Sequence, residues 1–154
     1  MKLIMCLLVF FSGSYPANDP SVGSVRLKFH NSMSSERICK ALITQLGPYN
    51  EKNNPLLMGY RAGATMLMAK HSLNPFNKLS YFKKGKTMLE KAIQAENNNV
   101  ELRFLRYTIQ TNVPSFLGYS SELIKDRSFL QRSVAGVRDA ELKKIITAYL
   151  KEKS

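Results

Sequence analysis

The sequence predicts an all-α fold of about six helices in antiparallel hairpins, arranged as a helical array or bundle. Apolar residues recur at the three- and four-residue spacing of helices along most of the chain, and short segments connect these stretches. Alternation of apolar and polar residues, which would indicate strands, is absent outside residues 22–29. The 154 residues, 44% hydrophobic and 22% charged, suffice for one domain with a hydrophobic core. This composition excludes a disordered tail and a small disulfide-stapled scaffold.

The first residues predict a secretory signal peptide over residues 1–14. A basic start precedes the apolar run from Leu3 to Phe11, and small or polar residues follow up to Ala17. The run is too short to span a bilayer, which needs about 20 apolar residues. Cleavage after residues 14 to 17 is expected to release an exported chain, periplasmic or extracellular, with no transmembrane anchor. A buried N-terminal strand is the alternative interpretation.

Removal of the signal peptide would also remove Cys6 and leave Cys39 as the only cysteine. An intramolecular disulfide would then be impossible. Cys39 lies in an amphipathic stretch, where a small buried hydrophobic residue is the ordinary role and a reactive thiol is the alternative.

The N-terminal part of the remaining chain shows no clear element over residues 15–33. Its apolar residues between Val22 and Phe29 follow mixed spacing. A single helical domain is predicted over residues 34–154. Its first helix begins at serine N-caps and ends at Gly47–Pro48, since glycine and proline terminate helices.

The second and third helices are predicted to form a hairpin. Pro55 suits the first turn of the second helix, which runs to Lys70 and is apolar on nearly all sides. A helix without a polar face belongs in the middle of a bundle. Asn74–Pro75 begins the third helix, which runs to about Glu96 with an apolar stripe on one face and lysines on the other.

Three further helices complete the predicted domain. The asparagines 97–99 precede a fourth helix over residues 100–112, and a fifth runs from Ser121 to about Val134. Asp139 is the expected N-cap of the last helix. The apolar connection 114–119 is expected to pack down on the domain.

Two sets of residues resemble known families. The hairpin from Leu56 to Glu96 resembles a tetratricopeptide-type helix pair, although the chain has no tryptophan and shows no second copy at a period of about 34 residues. The segments 73–82, 101–106 and 116–119 together are similar to a family of small exported bacterial helical proteins of unassigned activity. This second resemblance implies export and an all-helical, repeat-like fold, and it implies nothing catalytic.

The charge of the chain predicts an acidic partner. The formal net charge is +12, and loss of Lys2 with the signal peptide would lower it by one. A basic face is predicted from Lys83, Lys84, Lys91 and Arg103, with Tyr107 exposed beside Arg103. The expected partner is an envelope protein or another acidic ligand, and a merely solvated face is the alternative.

Arg106 is the charged residue that the pattern marks for burial. Its helical neighbours on one side are Leu102 and Ile109, and a buried guanidinium needs a carboxylate partner. Asp126 or Glu90 is expected to provide it. A structural ion pair between helices and a guanidinium that holds a ligand are both open interpretations.

No catalytic, metal or cofactor motif is found in the chain. It contains no glycine-rich phosphate loop, zinc-ligand spacing or nucleophile elbow. Met66, Met68 and His71 suggest a copper site, but residues two apart on a helix face opposite sides. No metal site and no cofactor are therefore predicted.

The sequence as a whole predicts a non-enzymatic, exported, helical-repeat-like module that binds an envelope protein or an acidic ligand. One alternative is a cytoplasmic nucleic-acid-binding protein, whose binding would depend steeply on salt. The other is an enzyme with a dispersed site, for which a deep pocket would gather Arg61, Arg106 and a carboxylate. The oligomeric state is not predicted.

Overall fold

The structure is a computed structural model that describes residues 19–153. The predicted signal peptide, residues 1–14, and its cleavage region, residues 14–17, lie outside the described residues. Within 19–153 the chain forms α-helices and two short 3₁₀ turns and contains no strand, which confirms the predicted all-α class. The helices are α1 (Val22–Ser32), α2 (Glu36–Gln45), α3 (Pro55–His71), α4 (Pro75–Ala95), α5 (Val100–Asn112), α6 (Leu123–Ser133) and α7 (Ala140–Glu152).

Helix α1 lies in the segment that had no clear element in the sequence. Val22, Val25 and Phe29 follow the i, i+3, i+7 spacing of a helix, and Leu27, which is 62% exposed, obscures that pattern. The side chain of Ser21 caps the helix by accepting a hydrogen bond from the backbone N–H of Ser24 at 3.3 Å. Because α1 packs on α2 and α3, the helical fold begins at Val22 and not at residue 34.

The helices pack as successive hairpins in chain order. Helix α3 contacts α1, α2, α4 and α5, as its apolar surface on all sides predicts. Three hydrophobic clusters follow one another along this array. The first joins α1, α2 and α3, the second joins α3, α4 and α5, and the third joins α5, α6 and α7.

Helix α3 and helix α4 form the closest pair in the fold. Gly85 of α4 faces the backbone of α3, where a Cβ atom would lie 2.6 Å from the carbonyl oxygen of Ala62. Only glycine permits this approach. The tight contact fixes which face of α4 turns inward, so that Phe82, Leu89 and Ile93 are buried.

Asparagine side chains cap the N-termini of the central helices. Asn54, Asn74 and Asn99 accept hydrogen bonds from backbone N–H groups in the first turns of α3, α4 and α5. Asp139 caps α7 in the same way, as the sequence predicts.

The connection 114–119 packs down through Tyr119, whereas Phe116 is 84% exposed. No helix among residues 19–153 is long and apolar enough to cross a membrane.

Candidate functional site

The outward side of α4 carries the lysines that the sequence marks as a binding face. Lys83, Lys84 and Lys91 are exposed, and we call them the α4 basic face. Lys84 and Lys91 are seven residues apart and lie on one side of the helix, next to Lys83. Their ammonium groups form no ion pair or hydrogen bond with any described residue. The structure therefore keeps three cations together and free for an external anion.

Arg103 and Tyr107 do not belong to this face, which corrects the sequence prediction. Tyr107 is only 2% exposed and packs in the third hydrophobic cluster beside Leu130. Arg103 forms an ion pair with Asp126, and its guanidinium lies 4.6 Å from the centre of the Phe129 ring. The physical reason is that α6 covers the side of α5 that the local pattern left open.

An internal ion network joins α4, α5 and α6, and it consists of Glu90, Arg103, Arg106 and Asp126. Asp126 is fully buried and accepts two hydrogen bonds from Arg106, from Nε at 2.7 Å and from Nη2 at 2.9 Å. Nη1 of Arg106 donates to Glu90 at 2.7 Å. The structure thus pairs Arg106 with both carboxylates that the sequence offered as partners.

The pKa of Arg106 reflects this environment. Burial alone opposes the charged guanidinium, but the hydrogen bonds and charges of Asp126 and Glu90 outweigh it and raise the pKa. Arg106 therefore stays cationic, and carboxylates of the protein itself bind its guanidinium. Its geometry is that of a brace between helices, because each of its three guanidinium nitrogens donates to a carboxylate.

A groove of about 620 Å³ opens beside this network. Tyr119 lies in it and donates a hydrogen bond to Glu90, and burial together with Glu90 raises the pKa of Tyr119. Lys86 lies over the same ring, 4.8 Å from its centre. Arg61 is not among the lining residues, since its guanidinium donates to the carbonyl of Gly47. The structure does not bring Arg61 to Arg106.

A second ion cluster, which is partly buried, was not found from the sequence. Arg26 of α1 donates to Glu101 of α5 and to Asp139 before α7, each at 2.9 Å. Tyr60 of α3 also donates to Glu101, and burial with this carboxylate raises the pKa of Tyr60. The cluster joins α1 to α3, α5 and the start of α7. Because α1 was not recognised as a helix, nothing in the sequence placed Arg26 inside.

A second cavity, of about 410 Å³, lies where α5 meets the connection 114–120. Gln110 lines it and is almost fully buried, and neither its amide nitrogen nor its amide oxygen has a partner among the described residues. Arg127 and Lys153 lie among its other lining residues. Periodicity places Gln110 beside Tyr107 but does not show that its amide is unpaired.

The α3–α4 turn exposes apolar side chains that the sequence analysis did not single out. Leu73 is 98% exposed and Phe76 is 82% exposed, and Leu79 is partly exposed one turn later. We call these three residues the α3–α4 tip. Phe76 and Lys83 are seven residues apart, so the tip continues the α4 basic face toward the start of the helix.

Residues that suggested metal or thiol chemistry lie in the core. Met66 and Met68 are buried, and residues 19–153 hold no group of three or more His, Cys, Asp or Glu that could bind a metal ion. Cys39 is buried with its thiol 3.1 Å from the carbonyl oxygen of Ala64, and burial raises its pKa. A raised pKa keeps the thiol protonated and poorly reactive.

Comparison of the chain with protein families, with curated proteins and with solved structures finds no match. The two family resemblances therefore stay predictions.

Proposed function

We propose that the protein is a non-enzymatic binding module that holds an acidic partner, an envelope protein or another acidic ligand, against the α4 basic face. One observation carries the proposal. Lys83, Lys84 and Lys91 share an exposed face and have no anionic partner among residues 19–153, whereas Arg26, Arg103 and Arg106 each form ion pairs within the protein. Unpaired cations on one rigid face produce a local positive potential that attracts an anion.

The distribution of acids favours α4 over the basic surface of α7. Helix α7 also exposes lysines, at positions 143, 144 and 151, but Asp139, Glu141 and Glu152 lie at its two ends. From Lys52 to Leu89 the chain has no Asp or Glu at all. Glu90, which ends this stretch, is held by Arg106 and Tyr119. The α3–α4 hairpin therefore contains most of the longest stretch of the chain without an acidic residue.

The binding proposal is tested by retention on immobilised heparin, a sulfated polymer that serves as a general polyanion probe. We expect Lys83→Glu/Lys84→Glu/Lys91→Glu to elute at much lower salt than the unaltered protein. The matched control is Lys52→Glu/Lys144→Glu/Lys151→Glu, which changes the net charge equally at exposed positions elsewhere. The control variant should elute between the two. Equal elution of the two variants would show that total charge alone governs retention. It would refute the proposal that the α4 basic face is the binding site.

Export is the second part of the proposal, and it rests on the sequence of residues 1–17. The measurement is the intact mass of the protein in fractionated native cells. We expect a chain that lacks the first 14 to 17 residues, found in the periplasm or the medium. A full-length protein in the cytoplasm would contradict export and would favour the nucleic-acid-binding alternative.

A further inference from the structure

The α3–α4 tip is held rigidly outward by the cap of α4. The side chain of Asn74 accepts hydrogen bonds from the backbone N–H groups of Phe76 at 2.8 Å and Asn77 at 3.4 Å. A hydrophobic residue before an N-cap commonly packs on the fourth residue of its helix. Here that residue is Lys78, and Leu73 is left 98% exposed. Leu73 and Phe76 are therefore largely uncovered within the described fold, and Leu79 is partly exposed beside them.

The apolar residues of the tip are concentrated in one short segment. Phe76 and Leu79 are three residues apart on α4, so they lie on one side of its first turns, with Leu73 in the turn just before them. Other large exposed apolar side chains, such as Leu27 and Phe116, lie on other elements. An exposed apolar patch of this kind is typical of a site that contacts a membrane or another protein.

Lysines lie close to the tip along both helices of the hairpin, and one of them, Lys70, also donates to the carbonyl oxygen of Met33 at 3.0 Å. Lys78 is exposed beside the tip, Lys70 lies at the end of α3, and the α4 basic face follows. An acidic residue near the end of α3 is Glu36, whose carboxylate forms an ion pair with Lys40 at 2.6 Å. Lysine side chains can keep their ammonium groups among lipid headgroups while their methylene stems lie along apolar surface. Exposed apolar residues with lysines beside them match an anionic bilayer, which attracts cations and accepts apolar side chains.

From this juxtaposition we infer that the α3–α4 tip inserts into the surface of an anionic lipid bilayer while the α4 basic face lies on the headgroups. The inference rests on the proposed function, and it names the acidic partner of the same face. The protein would bind the membrane surface peripherally, with Phe76 and Leu73 as its anchors.

The N-terminal segment of the chain is the other apolar occupant to consider. Asp19 is the first residue that the structure describes. It accepts a hydrogen bond from Tyr49 at 2.9 Å, close to the start of α3. The tip lies beyond the other end of α3, a helix of 17 residues and thus about 25 Å long. The described chain therefore starts at the far end of the fold from the tip, and the test includes a form that begins at Asp19.

The test uses tryptophan fluorescence, because the chain contains no tryptophan of its own. Phe76→Trp places one fluorophore in the tip, and Phe116→Trp is the matched control at another position with similar exposure. With vesicles of phosphatidylcholine and phosphatidylglycerol, we expect a blue shift of Phe76→Trp and quenching by brominated acyl chains. Phe116→Trp should show neither effect. Vesicles of phosphatidylcholine alone should shift neither variant.

A second pair of variants separates the tip from the basic face. Leu73→Ser/Phe76→Ser should weaken binding to the anionic vesicles about tenfold or more, since it removes two large apolar anchors. It should elute from heparin as the unaltered protein does and should keep its thermal stability, because both side chains are exposed. Lys83→Glu/Lys84→Glu/Lys91→Glu should weaken both kinds of binding.

Three results would overturn the inference. They are an unshifted Phe76→Trp with anionic vesicles, an equal shift with vesicles of phosphatidylcholine alone, and loss of vesicle binding in the form that begins at Asp19. If heparin binding through the α4 basic face persists in any of these cases, the proposed function stands and only the lipid partner fails. If the substitutions in the α4 basic face do not weaken heparin binding, the proposed function itself fails.

Discussion

At the residue scale, buried ion pairs hold the second half of the molecule together. Asp126 is fully buried and meets the guanidinium groups of both Arg103 and Arg106. Taking these ions out of water is costly, so the arrangement is stable only when every charge keeps its partner. Losing the single carboxylate would leave two largely buried cations without their main anion.

We expect Asp126→Ala to lower the free energy of unfolding by about 3–5 kcal/mol, the usual effect of breaking a buried ion pair. The measurement is urea denaturation. Glu122→Ala is the control, because Glu122 is partly exposed and its carboxylate lies 3.9 Å from Arg106, where an ion pair contributes about 1 kcal/mol or less. Equal effects of the two substitutions would contradict the central place of Asp126.

The two arginines show what a residue pattern can and cannot reveal. Arg106 has apolar helical neighbours, so its burial and its need for a carboxylate follow from the sequence. Arg103 lies three residues earlier on the same side of α5, which is a signal that the two share a partner. Its exposure was misjudged because the position of α6 against α5 depends on tertiary packing, which no local pattern contains.

At the scale of single elements, helix starts were predicted better than helix faces. Asn54–Pro55, Asn74–Pro75 and Asn99 mark the starts of α3, α4 and α5 because caps and prolines act locally. Helix α1 was missed because Leu27 faces solvent and disturbs the apolar spacing. Interruptions of this kind make a short helix hard to recognise from periodicity alone.

The contact between α3 and α4 gives a prediction at this scale. We expect Gly85→Ala to lower the free energy of unfolding by about 1–3 kcal/mol, since its Cβ would collide with the backbone of α3 at Ala62. Gly23→Ala is the matched control in α1, where nothing lies within 4 Å of a new Cβ. It should raise stability by about 0.5–1 kcal/mol. Thermal and urea denaturation of both variants measure the difference, and a harmless Gly85→Ala would contradict the close helix contact.

At the scale of the whole molecule, periodicity and short connections sufficed to predict an all-helical array. The sequence also marked Lys83, Lys84 and Lys91 correctly as an outward set, because the opposite stripe of α4 is plainly apolar. The α3–α4 tip was not singled out. An apolar residue in a turn is buried or exposed according to what packs beside it, so only the assembled fold shows that Leu73 and Phe76 are uncovered.

The most direct test of the central claim, that the α4 basic face holds an acidic partner, is a residue-by-residue map of binding. The ¹⁵N-labelled protein is titrated with a short heparin oligosaccharide while its backbone amide signals are followed by NMR. We expect the largest changes in chemical shift on α4 around Lys83, Lys84 and Lys91. Changes centred on α7, or spread evenly over all exposed lysines, would contradict it.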